Sequence, residues 1–521
     1  MPLLTPRQMA EMDRRTIDEL GVPGLVLMET AATACVQAVL ERWSEQAAQR
    51  GVLVLCGPGN NGGDGLAIAR RLACLGIEAE ALLTRAPDQL DGDARRQLEL
   101  AQAVDVPVHA PDADLPFDAF GVVVDALFGT GLDREVTGVA GAYIRAANDA
   151  GLPLLAVDIP SGVDGRTGRV LGRACRADVT VTFGAPKIGH FTEPGASQRG
   201  ELVVADIGIP IARWPDVVED APRLIDASVL ASLAPREAAA HKGTFGHLLV
   251  VAGGPGKVGA ARLCCEAALR AGAGLVTLAL PRGVPVDSLA NLRPEVMVER
   301  IAAGEGGFDE SSLDPILALA ATRDAVAVGP GVGTSDGART FITALLRALQ
   351  IPSVVDADGL NVMVGSPWPA TGARVVTPHP GEASRLLGSS SGEVQSDRLG
   401  SVRALQILTH SVAVLKGAGT LVGRVEDTLL NPTGNPGMGT AGSGDVLTGV
   451  IGALLARGLS PEEAAPAGVF WHGLAGDRAA EQLGEPSVLA SDIAEALGAA
   501  LAAAEHTPPP FLALPSGWRA W

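Results

Sequence analysis

Short apolar runs recur along this chain, each closing on glycine or an acidic residue and each followed by a helical stretch. VLVLC runs into Gly57, GVVVD closes at Asp125, LPLLAVD at Asp158 and VTVTF runs into Gly184. Runs without apolar–polar alternation, separated by helices, are parallel strands buried on both faces. Of the 521 residues 47% are hydrophobic and 19% charged, enough to bury such sheets and too apolar for long disorder. The rhythm pauses over GIPIARWPDVVEDAPRLID, which is proline-rich and without period, so a boundary is expected at 212–224. It resumes with HLLVVAGG, LVTLALP, AVAVGPG, PSVVDADG, RVVTPHPGE and VAVLKGAG. The expectation is two α/β domains, 1–218 and a larger 219–521, with the tail HTPPPFLALPSGWRAW as a strap or loose end. At the start, Thr5, Pro6 and Gln8 have the spacing of a helix N-cap with a capping box, and a second helix is expected over 24–43.

Net charge is −19, which argues against a nucleic-acid or anionic-membrane partner. No unbroken apolar run reaches the ~18 residues of a bilayer span. Charges at Arg7, Glu11, Asp13, Arg14 and Arg15 argue against a secretory leader. The six cysteines, none in a C-x-x-C pair, read as reduced core residues. Together these point to a cytoplasmic protein.

The first strand enters GPGNNGGDG, where Gly57, Gly59 and Gly62 match the G-x-G-x-x-G of dinucleotide loops. Glu78 and Glu80 follow at the distance of a ribose-binding acid, and Leu66, Ala69, Leu72 and Leu75 mark a helix face ended by Gly76. Asn60, Asn61 and Asp64 fill the loop, however, and a carboxylate at a helix start repels a bare pyrophosphate. Asp64 is either a plain N-cap or part of a site for another ligand. Ligands of open parallel sheets bind beyond the carboxyl ends of the strands, so Asp125, Asp158 and Lys187 should share that edge. Asn61, Asp125 and Ser161 offer hard oxygen donors for one cation, and Asp158 and Lys187 are suited to move protons.

GPGNNGGDG, DALFGTGL, DIPSGVDG and FGAPKIGH, in this order, resemble the NAD(P)H-hydrate epimerase family. The resemblance implies a Rossmann-like three-layer α/β/α fold that interconverts the R and S forms of hydrated NADH and NADPH. It implies potassium on Asn61, Asp125 and Ser161. It implies substrate contacts from Asn60, Asn61, Gly62, Gly63 and Asp64, from Gly129, Thr130, Gly131, Leu132, Asp133, Arg134 and Glu135, and from Asp158.

In the second half, GGPGKVG is another G-x-G-x-x-G match, but no acid follows the next strand, so a dehydrogenase is disfavoured. The late segment GMGTAGSGD leads through glycines 439, 442 and 444 into Asp445 and an apolar helix expected at 446–456. Glycine-rich turns at a helix start present N–H groups to an anion, and a carboxylate there can accept a hydroxyl proton. That combination suits phosphoryl transfer to an alcohol. The GSGD element resembles the ribokinase-like superfamily. Where its sugar kinases carry T-P-N-x-x-E, this chain has Thr377-Pro378-His379-Pro380-Gly381-Glu382. HKGTFG, GPGVG, DADGLN, TPHPGE, LKGAGT and GSGD together resemble the ADP-dependent NAD(P)H-hydrate dehydratases. This resemblance implies ADP held by Lys416, Gly417, Ala418, Gly419, Thr420 and Gly444, and hydrate held by Ala260, Gly333, His379 and Asp445. It also implies magnesium at Glu382, with Asp445 as base.

The paired resemblances imply a bifunctional repair enzyme acting on both hydrate epimers with ADP, K+ and Mg2+, and no hydride transfer. A homo-oligomer built through the apolar N-terminal helices is expected. The alternatives are a small-molecule (vitamin) kinase with a regulatory nucleotide domain, and a first domain that only binds.

Overall fold

The computed structural model describes residues 1–111, 115–233, 240–504 and the backbone of 512–514. The chain divides into two compact units at Pro222/Arg223, slightly beyond 218/219, and Leu512–Leu514 group with the first unit. Apart from 512–514, the tail from Glu505 lies outside the described residues.

In the first unit α1 (Pro6–Asp18) and α2 (Gly24–Arg50) precede β1 (Val52–Cys56). Then come α3 (Asn60–Cys74), β2 (Ala79–Leu83), α4 (Gly92–Gln102), β3 (Val108–His109) and β4 (Val122–Ala126). The unit continues through α5 (Gly138–Ala150), β5 (Leu154–Val157), β6 (Val179–Phe183), β7 (Glu201–Ala205) and α6 (Pro215–Val218). All strands are parallel, in the order β7-β6-β5-β4-β1-β2-β3. The strand order reverses direction between β1 and β4, so the loops leaving them open a crevice. Register sets Leu55 beside Asp125 and Asp125 beside Ala156, which places Asn61, Asp125 and Asp158 on one edge.

Local chemistry explains most of these elements. The Thr5 capping box forms, with Gln8 N–H donating to Thr5 Oγ1 over 3.2 Å and Thr5 N–H to Gln8 Oε1 over 2.9 Å. α2 runs past residue 43 to Arg50, through a non-helical turn at Trp43. Among the described residues it is the one helix long and apolar enough to cross a membrane. It is a core helix of this sheet: Ala31, Ala32, Cys35 and Val39 are buried, and Glu29 pairs with Arg70 and Arg71 of α3. On α3, Leu66, Ala69 and Leu72 are buried, but the helix closes at Cys74 and leaves Leu75 58% exposed, off the expected face. Five of the six cysteines are buried as expected; Cys74, in the last turn of α3, is exposed.

The second unit starts with β8 (Arg223–Leu224), β9 (His247–Val251), α7 (Val258–Arg270), β10 (Leu275–Pro281) and β11 (Val296–Ile301). Next are α8 (Leu313–Ala320), β12 (Ala325–Val328), α9 (Asp336–Ala348), β13 (Ser353–Val355), α10 (Asp358–Asn361) and β14 (Arg374–Val376). α11 (Pro380–Leu387), α12 (Ser391–Ser396) and α13 (Arg398–Thr409) lead to β15 (Val412–Leu415), β16 (Leu421–Gly423) and β17 (Thr428–Leu430). α14 (Ser443–Ala456), α15 (Pro461–Leu483) and α16 (Ala490–Ala503) complete it. The order is β11-β10-β9-β12-β13-β14-β15-β16-β17-β8. It is parallel up to β15, and β16 pairs antiparallel with both neighbours. A second crevice therefore opens between β9 and β12. Finally β18 (Leu512–Leu514) adds in parallel beside β7 in the first sheet.

Candidate active sites

The glycines of the opening loop serve close backbone packing. A side chain on Gly57 would begin 1.7 Å from the Leu127 carbonyl oxygen, and one on Gly62 1.8 Å from that of Gly57. Gly59, not Asp64, is the N-cap of α3; Asp64 lies one turn inside, so the plain N-cap reading fails. Glu80 sits within β2 and bonds His109 Nε2 at 2.7 Å, and Glu78 precedes that strand. Neither stands at the strand's carboxyl end, so neither is placed to bind a ribose.

What the first crevice does hold is a cluster of oxygen donors. Ser161 Oγ donates to Asp125 Oδ1 over 2.6 Å, and Ser161 N–H donates to Asp125 Oδ2 over 2.7 Å. Both residues are fully buried. Burial pushes the Asp125 carboxyl up despite those bonds, and among the described residues no lysine or arginine pairs with it. Asn61 lies over Gly129, with Oδ1 3.2 Å from where a Gly129 side chain would begin, and its buried Nδ2 has no partner. The loop from Gly129 to Glu135 covers this edge, with Gly131, Asp133, Arg134 and Glu135 exposed.

Next to it lies an ion pair. Lys187, fully buried, donates from Nζ to Asp158 Oδ1 over 2.6 Å, to Thr182 Oγ1 over 2.8 Å and to the Phe183 carbonyl over 3.2 Å. Burial raises the Asp158 carboxyl, but Lys187, His190 and Thr182 outweigh it and hold it below the usual carboxylate range. Asp158 stands at φ 67°, a strained conformation for a residue with a side chain. His190 fixes it: the Lys187 amide donates to Nδ1, so the proton is on Nε2, 3.0 Å from the Asp158 carbonyl that accepts it. Thr182 carries no motif signal, and His190 closes the FGAPKIGH motif without having been singled out; the pairing of each with Asp158 reveals its part.

In the second unit the site residues again gather beyond the carboxyl ends of the strands. Gly253 N–H donates to the Pro330 carbonyl over 2.8 Å, closing the loop after β9 onto the loop after β12. Ala260 is in the first turn of α7, and Gly333 N–H donates to Asp358 Oδ2 over 3.0 Å. Lys257 Nζ reaches the same oxygen at 2.8 Å. His379 caps α11, its Nδ1 accepting from Gly381 N–H over 3.0 Å, as an asparagine oxygen would. This explains how the motif tolerates histidine. Glu382 closes that capping box and lies 3.9 Å from Lys416 Nζ.

Lys416 itself pairs with buried Asp356 at 2.7 Å, and Thr448 Oγ1 donates to the other Asp356 oxygen over 2.7 Å. A side chain on Gly444 would begin 3.0 Å from Lys416 Nζ, so glycine is what lets α14 approach. Asp445 lies in the first turn of α14, whose N-cap Gly442 has φ 93°. Burial, followed by repulsion from Asp356, pushes Asp445 up to about 7, against the pull of Lys416. The loop of Gly417, Ala418, Gly419 and Thr420 is clamped from below by buried Arg398, which donates to the carbonyls of Leu415, Lys416 and Gly419. Asp356, Asp358, Thr448 and Arg398 were not singled out from sequence, although the first two stand in DADGLN.

Residues 24–189 match the family described as YjeF-related protein N-terminus, and residues 248–498 the family described as NAD(P)H-hydrate dehydratase. The bifunctional NAD(P)H-hydrate repair enzyme of Moorella thermoacetica is 42% identical over 510 residues, 95% of this chain and 96% of that protein. The chain belongs to the bifunctional NAD(P)H-hydrate repair family. The Escherichia coli member of this family is 38% identical over 92% of this chain and 90% of its own. Among solved structures, the ADP/ATP-dependent NAD(P)H-hydrate dehydratase of Bacillus subtilis, co-crystallised with ATP/Mg2+, is 28% identical. It covers 54% of this chain and 99% of its own, with a TM-score of 0.48. Family membership along the full length replaces the vitamin-kinase and binding-module alternatives.

Proposed function

We infer that this chain restores hydrated NADH and NADPH, the first unit interconverting the R and S hydrates and the second dehydrating the S form with ADP. The observation that carries the second half is Asp445, an aspartate with a near-neutral pKa in the first turn of a glycine-led helix, beside Lys416 and Asp356. Hydroxide leaves poorly from the hydrate. Asp445 takes the hydroxyl proton as the oxygen attacks the ADP β-phosphate, releasing AMP. The ring nitrogen then expels phosphate, and NAD(P)H results. Lys416 to Thr420 and Gly444 hold the nucleotide; Ala260, Gly333 and His379 line the hydrate pocket.

Two metal ions fit the residues present. Asn61, Asp125 and Ser161 would hold potassium: an unpaired buried carboxylate with amide and hydroxyl oxygens suits a hard monovalent cation. When bound it would supply a fixed positive charge beside Asp125. Asp356, Asp358, Glu382 and Asp445 crowd the nucleotide site with negative charge. Among the described residues no three acidic or histidine side chains converge enough to hold a metal alone. Magnesium would therefore be shared between Glu382 and the nucleotide's phosphates, whose charge it screens.

In the first unit, Gly129 to Glu135, the Asn60–Asp64 segment and Asp158 receive the hydrated dinucleotide. Half-exposed Ile17, Leu20 and Val26 on and beside α1 and α2 support assembly of copies through these helices. The unpaired cysteines support a cytoplasmic setting. The Asp445→Asn variant separates the halves. Given pure R hydrate and ADP, it should accumulate S hydrate and form NADH at least ~100-fold more slowly than wild type; NADH formation at the wild-type rate would refute the assignment of Asp445.

A further inference from the structure

Epimerisation at a carbon bearing a hydroxyl and bonded to the ring nitrogen needs an acid for the oxygen that leaves and a base for the water that returns. Asp158 is held ionised and supplies the base. Lys187 does not supply the acid, because an ammonium has three N–H donors and Asp158, Thr182 and Phe183 take all three.

α1 brings another carboxyl to this place. Its leading segment is tied to the loop after β6: Leu4 N–H donates to the Pro186 carbonyl over 3.0 Å, and Leu4 bridges Lys187. The Met9 methyl lies 3.3 Å from where a side chain on Gly184 would begin, and Pro6 Cγ 3.1 Å from the same point on Gly165. α1 thus lies across the loops that carry Asp158 and Lys187. Asp13 is one turn beyond Met9 on the inward side, between buried Met12 and the turn of buried Thr16. It is the acidic residue of that side, while Glu11 and Asp18 are engaged by arginines. The charged groups facing Asp13 are Lys187, Asp158 and, from α3, Asp64. Burial raises Asp13 to about 6, with Asp158 adding to the rise and Lys187 opposing it. Burial likewise pushes the Asp64 carboxyl up, with Asp158 and Asp13 adding to the rise, but Asp64 stands on α3 and not on the segment tied to the Lys187 loop. The Cys35 thiol from α2, next to Asp64 and Asp158, is pushed up by burial and stays protonated.

We propose that Asp13 is the general acid of epimerisation, donating its proton to the departing hydroxyl, while Asp158 accepts a proton from the incoming water. This rests on the epimerase reading of the first unit. The ring nitrogen's lone pair forms a C=N bond as the C–O bond breaks, and the oxygen takes the Asp13 proton and leaves as water. Water adds to the opposite face, the C=N electrons return to nitrogen, and the extra proton passes to Asp158. Asp13 regains and Asp158 loses a proton by exchange with solvent, so the cycle closes without a further reactant.

The test uses the full-length protein, Asp13→Asn and Asp13→Glu, with R hydrate as substrate, S hydrate measured by chromatography, and ADP-dependent conversion of S hydrate as an internal control. Asp13→Asn should lower the epimerisation kcat ~100-fold with KM changed less than about threefold, and Asp13→Glu should restore at least about tenfold of it. The wild-type rate should fall above pH of about 6, the Asn variant should lose that fall, and the Glu variant should keep it. A purely structural role would spare the pH profile and give no rescue. Asn-variant rates within about twofold of wild type, or a wild-type profile flat from about pH 5 to pH 9, overturn the proposal even if a variant fails to fold. Wild-type protein that does not interconvert the hydrates overturns the epimerase reading itself.

Discussion

Lys187 Nζ and Asp158 Oδ1 lie 2.6 Å apart, with the lysine wholly out of solvent and the aspartate at a left-handed φ of 67°. Removing the lysine strands a buried carboxylate, a change that costs about 3–5 kcal/mol. Lys187→Met should lower the denaturation midpoint of the first unit and abolish epimerisation. ADP-dependent conversion of S hydrate should persist. Loss of both activities together would show that the ion pair is not local to the first site.

The dehydratase should gain rate with alkali. A base works when deprotonated, and Asp445 stands at about 7, so kcat/KM should rise with pH through a midpoint near that value and then level. Asp445→Asn should remove the rise and lower the rate ~10²- to 10⁴-fold. A profile that falls through pH 7 would contradict the assignment.

Acid should unfold both units by way of buried histidines. Burial lowers His190 to about 3 and His472 to about 4, so each binds its proton more weakly in the folded state than in the unfolded chain. The stability they preserve is complete above pH ~6.5 and drains as pH falls toward those values, on the order of 3 kcal/mol per residue by pH 4. Thermal scans from pH 7 to pH 4.5 should show falling transitions, and His190→Gln should flatten that slope for the first unit.

Potassium binding should be measurable without substrate. A cation that binds only the folded state raises its stability by ~2.7 kcal/mol at a hundredfold excess over Kd. Replacing tetramethylammonium by potassium should raise the melting temperature of wild type and leave Asp125→Asn unmoved. Equal shifts in both proteins would dissociate Asp125 from the cation.

The strands were legible because buried parallel strands leave unbroken apolar runs that end where the loops turn, as at Cys56 and Val328. The Thr5–Gln8 box was legible because its chemistry is local. β16 and β17 were not, since they pair antiparallel through short turns and so stand outside the strand–helix rhythm. Leu75 misled because a helical period continues in sequence after the helix itself has ended. The sites were legible as strand-end motifs, but not their wiring: the Asp356–Thr448 bond joins residues 92 apart, and Lys187 is saturated by partners from β6 and from the loop after β5. Asp13 looked like one more charge on a charged helix until α1 was seen to lie against the Lys187 loop.

The most direct test is absorbance at 340 nm, following a mixed R and S NADH-hydrate preparation with ADP, magnesium and potassium. Two cooperating sites predict full recovery of NADH, and recovery limited to the S fraction in Asp158→Ala. Recovery that stops at the S fraction in the wild type, or does not occur with ADP or ATP, would contradict the assignment of two complementary repair activities to this chain.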